Sequence, residues 1–508
     1  MTRIARSTLI LVIFFAIDKI LGLGRQVIVG RMFGLSPELD AFNAANNVPD
    51  LLFAMISGGA LAIAFIPVLS EYMQTGGKPA VWDLFSRIAN LAFLVTAGLA
   101  LLVALFAEPM VRAELGIAPG FKPAQQDLVI DLMRLNLIAT LIFSISGLVM
   151  AGLQTNQHFL LPAMAPALYN LGQIFGAAVL APKIGLHLGP LSLPGFGLGI
   201  HGLVYGVILG AALHLGIQIP GLLRYQFRWT PAINLRSPGV IKVLNLMGPR
   251  LLTMLFIQLI FLGRDNLASR LGSGAVTALT YGWFIMQVPE TLIGTTIATA
   301  MLPSLSEYIA RGERDIFRQT ITRALKTILA LAVPASALLA VGIRPLIQVA
   351  FRFDAAGTEL VVWATRAYLL GVIGQALYEV TARAFYAQQN ARTPVMTSGL
   401  RLLIFIGGAA ILYNRFGPVG IALADTLGIS TEVCLHLVLL NRRFPGLLHL
   451  GWTLPRTLVG AMGSALLVYL AMHYLRLPIL PLTLGALALG AAAMLPFAWP
   501  EVKGLVKL

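Results

Sequence analysis

Apolar stretches fill this chain from one end to the other, and this feature limits what it can fold into more than any other. Hydrophobic residues make up 58% of its 508 residues, charged residues make up only 11%, and the mean hydropathy is +0.84. A soluble domain carries about 25% charged residues, so a chain this long and this apolar cannot cover its surface with polar groups. We therefore expect a protein that lies in a lipid bilayer and crosses it many times.

The apolar segments have the length of membrane-spanning helices. Such a helix needs about 20 mostly apolar residues, and the chain has about fourteen segments of this kind. Runs such as Leu94–Leu105 and Ala461–Met472 are almost continuously apolar, whereas the strands of a β-barrel would alternate apolar and polar residues. The predicted fold is an all-α polytopic membrane protein. Its segments are centred near residues 17, 58, 95, 140, 170, 210, 252, 292, 333, 372, 403, 430, 463 and 488.

The first segment contains Asp18 and Lys19 and has no convincing small-residue cleavage site, so we expect a retained span and not a signal peptide. The formal net charge is +15, and basic residues concentrate at every second connection, as at Arg311 and Arg314. Cytoplasmic loops of membrane proteins are rich in Lys and Arg, and basic edges attract anionic lipid headgroups. Membrane lipids are therefore expected partners and nucleic acid is not. An even number of spans puts both termini in the cytoplasm.

The sequence gives no indication of enzyme chemistry. It has no glycine loop of the form GxxxxGK[ST], so direct ATP hydrolysis is not expected. Its single cysteine, Cys434, permits neither an internal disulfide nor a cysteine-based metal site. We expect neither an enzyme nor a resident organic cofactor.

Two short patterns recur in the same order along the chain. Val48-Pro49 precedes Pro67-Val-Leu-Ser-Glu-Tyr72, and Val288-Pro289 precedes Pro303-Ser-Leu-Ser-Glu-Tyr308. Gln154-Thr-Asn156 precedes Pro162, and Gln388-Gln-Asn390 precedes Pro394. Parallel repeats of this kind are typical of transporters, with the substrate site between the halves. The predicted organisation is a six-span lobe over residues 1–222, a second over residues 223–445, and an extra helix pair over residues 446–508.

Ionisable residues inside the predicted spans are the candidates for binding, because such residues cost several kcal/mol if they face lipid. They concentrate in the first, second, seventh and eighth spans, where a cavity between the two lobes would lie. A net basic cavity would suit an anionic substrate, since arginine binds phosphate oxygens through parallel hydrogen bonds. The candidates for this role are Arg25, Arg250 and Arg264, and the candidates for ion coupling are Asp265, Glu290 and Asp425.

Each candidate has a structural alternative that the sequence leaves open. Asp18 with Lys19, and Arg264 with Asp265, are also compatible with local neutralising pairs. Arg250 follows Gly248-Pro249 and is also compatible with a group that satisfies the carbonyls of a kinked helix.

Several short motifs follow one another in a characteristic order and spacing. They are Leu21-Gly-Leu-Gly-Arg25, Asp40-Ala-Phe42, Ala64-Phe-Ile-Pro67, Pro162-Ala-Met-Ala-Pro-Ala-Leu-Tyr-Asn170, Gly199-Ile-His-Gly-Leu-Val-Tyr-Gly206, Met301-Leu-Pro-Ser-Leu-Ser306, Ala384-Phe-Tyr-Ala387 and Gly417-Pro-Val-Gly-Ile-Ala-Leu-Ala424. Together these segments resemble the MurJ-type lipid II flippases of the multidrug/oligosaccharidyl-lipid/polysaccharide exporter superfamily. The resemblance extends from about residue 8 to about residue 445, and the last two predicted spans fit the extra helix pair of that family.

The resemblance implies an alternating-access flippase of the bacterial cytoplasmic (inner) membrane. It would move undecaprenyl-pyrophosphate-linked disaccharide-pentapeptide, lipid II, to the outer face for peptidoglycan synthesis and cell shape. The headgroup would cross in a central cationic cavity, and the lipid tail would follow a groove formed by the extra helices. The resemblance further implies coupling to membrane potential or a sodium ion, and contact with the cell-wall synthesis machinery.

The family's cavity residues match this chain only in part. Arg25 and Asp40 match, and Lys19 matches conservatively, so the resemblance assigns all three to substrate binding. Asn47 stands where the family has a basic residue and is assigned to the same site, and Asp50 stands in a region where basic residues are usual.

These differences leave three alternative functions open. They are a flippase for another lipid-linked oligosaccharide, a cation-coupled drug exporter of the same superfamily, and a non-transporting scaffold. The basic bias of the candidate residues argues against the drug exporter, which would need a carboxylate-rich cavity.

Overall fold

The structure is a computed structural model that describes residues 3–56, 60–188 and 191–505. Most of these residues are helical, which confirms the predicted all-α fold. Eleven of the described helices are long and apolar enough to cross a membrane by length and composition, roughly consistent with the fourteen predicted spans. The predicted segment centre near residue 58 lies outside the described residues.

The contacts between residues divide the chain into two compact units, with the boundary between Ser273 and Gly274. The first unit contains α1 (Arg3–Phe33), α2 (Pro37–Ala45), α3 (Asn47–Ile56), α4 (Ala60–Leu105), α5 (Ala107–Arg112), α6 (Pro123–Thr155), α7 (Leu160–Phe175), α8 (Ile200–Gly216), α9 (Ile219–Arg224) and α10 (Pro238–Ser269). The second contains α11 (Ala275–Glu290), α12 (Thr296–Ala310), α13 (Arg314–Phe351), α14 (Ala355–Ala387), α15 (Arg392–Phe416), α16 (Pro418–Arg443), α17 (Thr453–Tyr474) and α18 (Ile479–Leu505).

Helix α10 belongs to the first unit by its contacts, because it packs against α3 and α4. The sequence-based lobe boundary at residues 222 and 223 describes the internal repeat instead, and it stays a prediction. A short antiparallel hairpin of β1 (Leu186–Leu188) and β2 (Leu191–Leu193) precedes α8, with Leu186 opposite Leu193.

Helix α4 is 46 residues long because it joins two helical segments across a kink. Gly77 has φ 66° and ψ −165°, a conformation that only glycine adopts without strain. Two aromatic residues of the second segment, Trp82 and Phe85, pack against Phe227 at centroid distances of 5.2 Å. The Trp82 Nε1–H donates to the Tyr225 carbonyl at 3.2 Å, which ties α4 to the segment that follows α9.

Helices α7 and α8 approach each other closely through paired glycines. A Cβ added at Gly172 would lie 2.4 Å from Gly210 Cα, and one added at Gly176 would lie 2.5 Å from Gly206 Cα. Small residues allow membrane helices to pack backbone against backbone. Any side chain larger than hydrogen at Gly172 or Gly176 would therefore push these two helices apart.

Helices α6 and α14 end with the same local geometry, in a register two positions away from the predicted pairing of Gln154-Thr-Asn156 with Gln388-Gln-Asn390. Gln157 after α6 and Gln389 after α14 both have positive φ, at 58° and 56°. The next amide, of His158 or Asn390, donates 3.0 Å to a carbonyl five residues earlier in each case. These are matching Schellman-type helix ends, which satisfy otherwise free carbonyls.

The starts of α8 and α16 match as well. Gly199 has φ 56° and ψ −136°, and Gly417 has φ 57° and ψ −137°. In both, the amide three residues later, of Gly202 or Gly420, donates 3.0 Å back to that glycine. Positions on α8 and α16 can therefore be compared by counting from Gly199 and Gly417.

In the second unit, α14 packs against α11, α13 and α16, and α15 packs against α16. The last two helices, α17 and α18, pack against each other and against α13. Glycines permit this contact, since Gly342 of α13 lies against Leu487 and Gly490 lies against Val468. The extra helix pair is thus attached through α13.

Candidate substrate and ion sites

Arg25 lies on α1, which packs against α7. One turn earlier, Gly22 passes Asn170, and that asparagine donates through Nδ2 to Asp18 Oδ1 at 2.8 Å. The Arg25 guanidinium is partly buried and interacts electrostatically with Asp50 of α3 and with Tyr169 of α7. Arg25 therefore interacts with an acidic residue. The side chain of that residue, Asp50, is exposed.

Asn47, Arg264 and Asp265 form one buried cluster between α3 and α10. Asn47 Nδ2 donates to Asp265 Oδ2 at 2.6 Å, and Arg264 Nε donates to Asp265 Oδ1 at 2.7 Å. The exposed fraction is 7% for Asn47, 7% for Arg264 and 0% for Asp265. The structure thus has the local Arg264–Asp265 pair that the sequence left open. Both carboxylate oxygens of Asp265 are engaged by protein groups.

The Arg25 interaction and the Asn47 cluster lie on neighbouring parts of α3. Asn47 and Asp50 are three residues apart, so they are one helical turn from each other. The Arg264 guanidinium also lies over the Phe261 ring, 5.1 Å from its centroid. Arg25 and Arg264 therefore both approach the short helix α3, from α1 and from α10.

Arg250 lies far from Arg264 along the same helix. The two are fourteen residues apart on α10, which is about 21 Å along a helix axis. The assignment of Arg25, Arg250 and Arg264 to phosphate binding stays a prediction.

The other two assigned residues differ in burial. Asp40 is 1% exposed in the first turn of α2, where the free N–H groups of a helix favour a carboxylate. Lys19 is exposed on α1. The assignment of both to substrate binding stays a prediction.

Glu290 ends α11 and adjoins a π-helical turn, Thr291–Thr295. Its carboxylate is buried and accepts hydrogen bonds from Thr295 Oγ1 at 2.9 Å and from Thr291 Oγ1 at 3.2 Å. Glu379 and Arg383 of α14 form an ion pair that interacts with it electrostatically. Such π-helical turns within α-helices occur frequently at functional sites.

Asp425 belongs to a second buried cluster, which joins α15 and α16. Arg401 Nη2 donates to Asp425 Oδ1 at 2.9 Å, and Arg401 Nη1 lies 3.7 Å from Glu432 Oε2. Ser398 Oγ donates to Glu432 Oε1 at 2.8 Å, and Thr397 Oγ1 lies 3.1 Å from the same oxygen. The exposed fraction of Arg401 is 3% and that of Glu432 is 1%. Asp425 is therefore the partner of a buried arginine.

The sequence reasoning missed Arg401 as a site residue. Arg401 is an ionisable residue within an apolar segment, and this is the same criterion by which the other candidate residues were chosen. The criterion could therefore have identified it. Its pairing with Asp425 and Glu432, 24 and 31 positions later, was not visible from local spacing. In the described part of the chain, no group of three or more His, Cys, Asp or Glu residues has a metal-binding arrangement.

Comparison with known proteins identifies the class of this fold and then its family. An inward-facing multidrug resistance MATE transporter of the MOP superfamily superposes with a TM-score of 0.71 at 14% identity, over 85% of this chain and 95% of its own. The structure titled lipid II flippase MurJ, inward closed conformation, superposes with a TM-score of 0.81 at 22% identity. This superposition covers 98% of this chain and 100% of that structure. The fold of this chain is therefore the one that these two solved structures share.

The sequence matches are more specific than the fold. The family model described as lipid II flippase MurJ matches residues 29–484. The lipid II flippase MurJ of Burkholderia cenocepacia is 30% identical over 475 residues, covering 91% of this chain and 88% of its own length. This chain belongs to the MurJ lipid II flippase family, and the family predicted from the motifs is confirmed.

Proposed function

We propose that this chain moves lipid II from the inner to the outer face of the cytoplasmic membrane for peptidoglycan synthesis. The observation that carries the proposal is the family match over residues 29–484. Partly buried Arg25 beside the exposed Asp50 supports it from the geometry. The protein acts by alternating access as a transporter and not as an enzyme. Both termini are cytoplasmic, and the substrate is delivered to the cell-wall synthesis machinery.

In this proposal Arg25 is the first contact of the pyrophosphate. Without substrate, its guanidinium interacts with Asp50. A pyrophosphate offers more charge and parallel acceptor oxygens, so it displaces the single carboxylate as the partner of the arginine. Asp50 then serves as the group to which Arg25 returns when the substrate leaves.

Arg250 and Arg264 act one after the other, and not together with Arg25. About 21 Å of α10 separates them, so a headgroup that crosses the membrane meets them at different depths. Arg264 is held by Asp265, and Arg250 is partly buried. The lipid tail follows the surface of α17 and α18, which pack on α13.

Of the three carboxylates considered for ion coupling, Glu290 is the one that binds a sodium ion in this proposal. Asp265 and Asp425 each accept a hydrogen bond from a buried arginine, which makes them counter-ions in this proposal. Glu290 instead has two threonine hydroxyls, and neutral and anionic oxygens are the ligands that hard cations prefer. Flipping with and without sodium, and with an imposed membrane potential, tests this assignment.

The test of the function is rescue of a bacterium depleted of its own lipid II flippase, scored by lipid II exposed on the outer face. We expect rescue by the wild-type chain and its loss in Arg25→Ala. Arg31→Ala is the matched control, because Arg31 is exposed on the same helix. Rescue by a stably inserted Arg25→Ala protein would contradict the role of Arg25.

A failure of the wild-type chain, shown to be inserted and folded, would contradict lipid II as the substrate. A flippase for another lipid-linked oligosaccharide is the second candidate. Asp50 favours it specifically, because an acid lies beside Arg25 in a region where the family usually has basic residues. Mass spectrometry of the lipid that co-purifies with the protein separates the two candidates.

A further inference from the structure

A buried imidazole lies beside the Arg401 cluster in the second unit. His436 is on α16, one turn after Glu432, and is 0% exposed. Thr381 Oγ1 of α14 lies 3.0 Å from His436 Nδ1, and Thr397 Oγ1 of α15 lies 2.8 Å from His436 Nε2. Thr397 Oγ1 also lies 3.1 Å from Glu432 Oε1. One hydroxyl therefore connects a buried carboxylate to a buried imidazole.

The hydrogen bonds assign the tautomer of His436. Thr381 directs its own proton to the Tyr378 carbonyl at 3.2 Å, so its oxygen accepts from His436 Nδ1–H. Thr397 Oγ1 lies 3.1 Å from the Thr393 and Pro394 carbonyls and 2.8 Å from His436 Nε2, which is the shortest of these contacts. His436 Nε2 then accepts from the hydroxyl of Thr397 when the imidazole is neutral. This arrangement leaves Nε2 as the one ring position that can take up a further proton.

The charges of the cluster do not balance without such a proton. Asp425 and Glu432 are two carboxylates, and Arg401 is the cation that faces them both. With His436 neutral, one negative charge is uncompensated within a buried site, which is costly in a low-dielectric environment. Glu432 Oε2 also accepts no hydrogen bond in the structure. A single added proton balances the charge.

We propose that Glu432, Thr397 and His436 bind one exchangeable proton and pass it between the carboxylate and the imidazole. With the proton on Glu432 Oε1, the carboxyl donates to Thr397 Oγ1 and Thr397 donates to His436 Nε2. When the proton moves, Glu432 gives its hydrogen to Thr397, Thr397 gives its own to His436, and the imidazole becomes an imidazolium. Thr397 keeps one hydrogen throughout, and the number of protons is conserved.

One further basic group of the described residues lies close by, namely Arg443 of α16, whose guanidinium is 6.0 Å from the centroid of the Phe385 ring that packs on His436. Arg443 donates to Gln388 Oε1 at 3.2 Å, so it is engaged outside the cluster of Arg401, Asp425 and Glu432. From α14, Tyr378 stacks on His436 at a ring distance of 5.6 Å and interacts with Glu432, and Tyr386 interacts with Tyr378. From α15 the charged neighbour is Arg401, and from α16 itself it is Asp425. Helix α11 also packs against α16, but its Glu290 interacts with Glu379 and Arg383 instead.

The matching positions in the first unit also hold buried polar groups, but these carry no net charge and their shared hydroxyl comes from α6, the counterpart of α14. Counted from Gly199 and Gly417, His214 corresponds to Glu432, and Gln218 corresponds to His436. His214 Nδ1 lies 2.6 Å from Ser146 Oγ, and Gln218 Nε2 donates to the same hydroxyl at 3.0 Å. An imidazole, a hydroxyl and an amide have no net charge to compensate. The first copy is therefore a natural control for the second.

The test is infrared difference spectroscopy between low and high pH on the full-length protein in lipid nanodiscs. The chain has 21 Asp and Glu residues, so the signal of Glu432 is the component of the carboxylic acid carbonyl band that the wild type has and Glu432→Gln lacks. In His436→Gln this component should persist and gain intensity, because the proton can no longer move to the imidazole. His214→Gln should leave it unchanged. Identical spectra for the wild type and Glu432→Gln, or for the wild type and His436→Gln, overturn the proposal.

A second pair of variants keeps the test independent of folding. Thr397→Val removes the connecting hydroxyl, whereas Thr397→Ser keeps it, and both side chains fit the site. We expect His436→Gln and Thr397→Val to change the infrared band alike, while Thr397→Ser resembles the wild type. Equal spectra for Thr397→Val and Thr397→Ser would contradict the relay.

A role of this proton in transport rests on the proposed function. We expect flipping of lipid II in liposomes to respond to a pH gradient in the wild type and to lose that response in Glu432→Gln. If the wild type flips no lipid II under any gradient, the proposed function fails while the infrared result still decides the proton site. If it flips equally with and without the gradient, the coupling role fails.

Discussion

Replacing Asp265 by asparagine decides whether this residue is a structural counter-ion or a group that acts on an ion. The side chain is 0% exposed, and its two oxygens accept from Arg264 at 2.7 Å and from Asn47 at 2.6 Å. Asparagine keeps the shape but leaves the Arg264 guanidinium buried without a compensating charge. The stability of the first unit should therefore fall.

The magnitude follows from the geometry. Two unit charges about 4 Å apart interact by about 4 kcal/mol at an effective dielectric constant of about 20. Removal of one partner from a buried pair generally costs about 3–5 kcal/mol, so we expect Asp265→Asn to lower the free energy of unfolding by that amount. Asn47→Ala removes one hydrogen bond to a charged group and should cost about 1.5–3 kcal/mol.

The assay is reversible unfolding in mixed micelles, combined with transport by the same variants. The double variant Arg264→Gln with Asp265→Asn removes both charges and should recover most of the lost stability. Asp83→Asn is the matched control, since its pair with Arg87 is only partly buried and joins residues one helical turn apart, so it should contribute about 1 kcal/mol or less. Unchanged stability in Asp265→Asn together with lost transport would refute the counter-ion role and return Asp265 to ion coupling.

Two further predictions concern packing and pH. Gly172→Ala should destabilise the fold by about 1–3 kcal/mol, because its Cβ would lie 2.4 Å from Gly210 Cα. Gly98→Ala is the control, because nothing lies within 4 Å of its added Cβ. It should be neutral in the same unfolding assay. Burial, and to a lesser extent Arg224, holds the pKa of His158 below its usual range. The unfolded chain therefore binds the proton more readily, and the stability present above about pH 6.5 falls as the pH drops below it. The melting temperature should decrease more on acidification in the wild type than in His158→Gln, and equal decreases would contradict this account.

The helices and their repeat were predictable because the signals are local. Continuous apolar runs give the spans, and Gln154-Thr-Asn156 with Gln388-Gln-Asn390 predicted two equivalent turns. The structure ends α6 and α14 with the same positive-φ geometry, at Gln157 and Gln389. Leu69 and Leu305 of the other repeated pattern are both fully buried.

The polar clusters were less predictable because their partners are distant in sequence. Arg264 and Asp265 are adjacent, so their pairing was open from the sequence, but Asn47 joins them across 218 positions. The separation of Arg250 and Arg264 could be calculated from the sequence, because it equals their spacing multiplied by the rise per residue of a helix. That calculation requires α10 to be continuous between them, as it is in the structure. The partners of Arg401 and His436 could not be identified from the sequence, because they lie on different helices. They became visible only in the packing of α14, α15 and α16.

The attachment of α17 and α18 through α13 bears on how the chain is made. These two helices are synthesised after α11–α16, and the surface they join lies on a helix completed about a hundred residues before α17 begins, at Phe351. Helices α11–α16 can therefore pack against one another while the final pair is still being synthesised. Addition of that pair then leaves the earlier connections of the second unit as they are. An assembly of this order also allows the sequences of α17 and α18 to change without disturbing the packing of the earlier helices. Gly342 and Gly490 are the positions in the contact with α13 that must stay small.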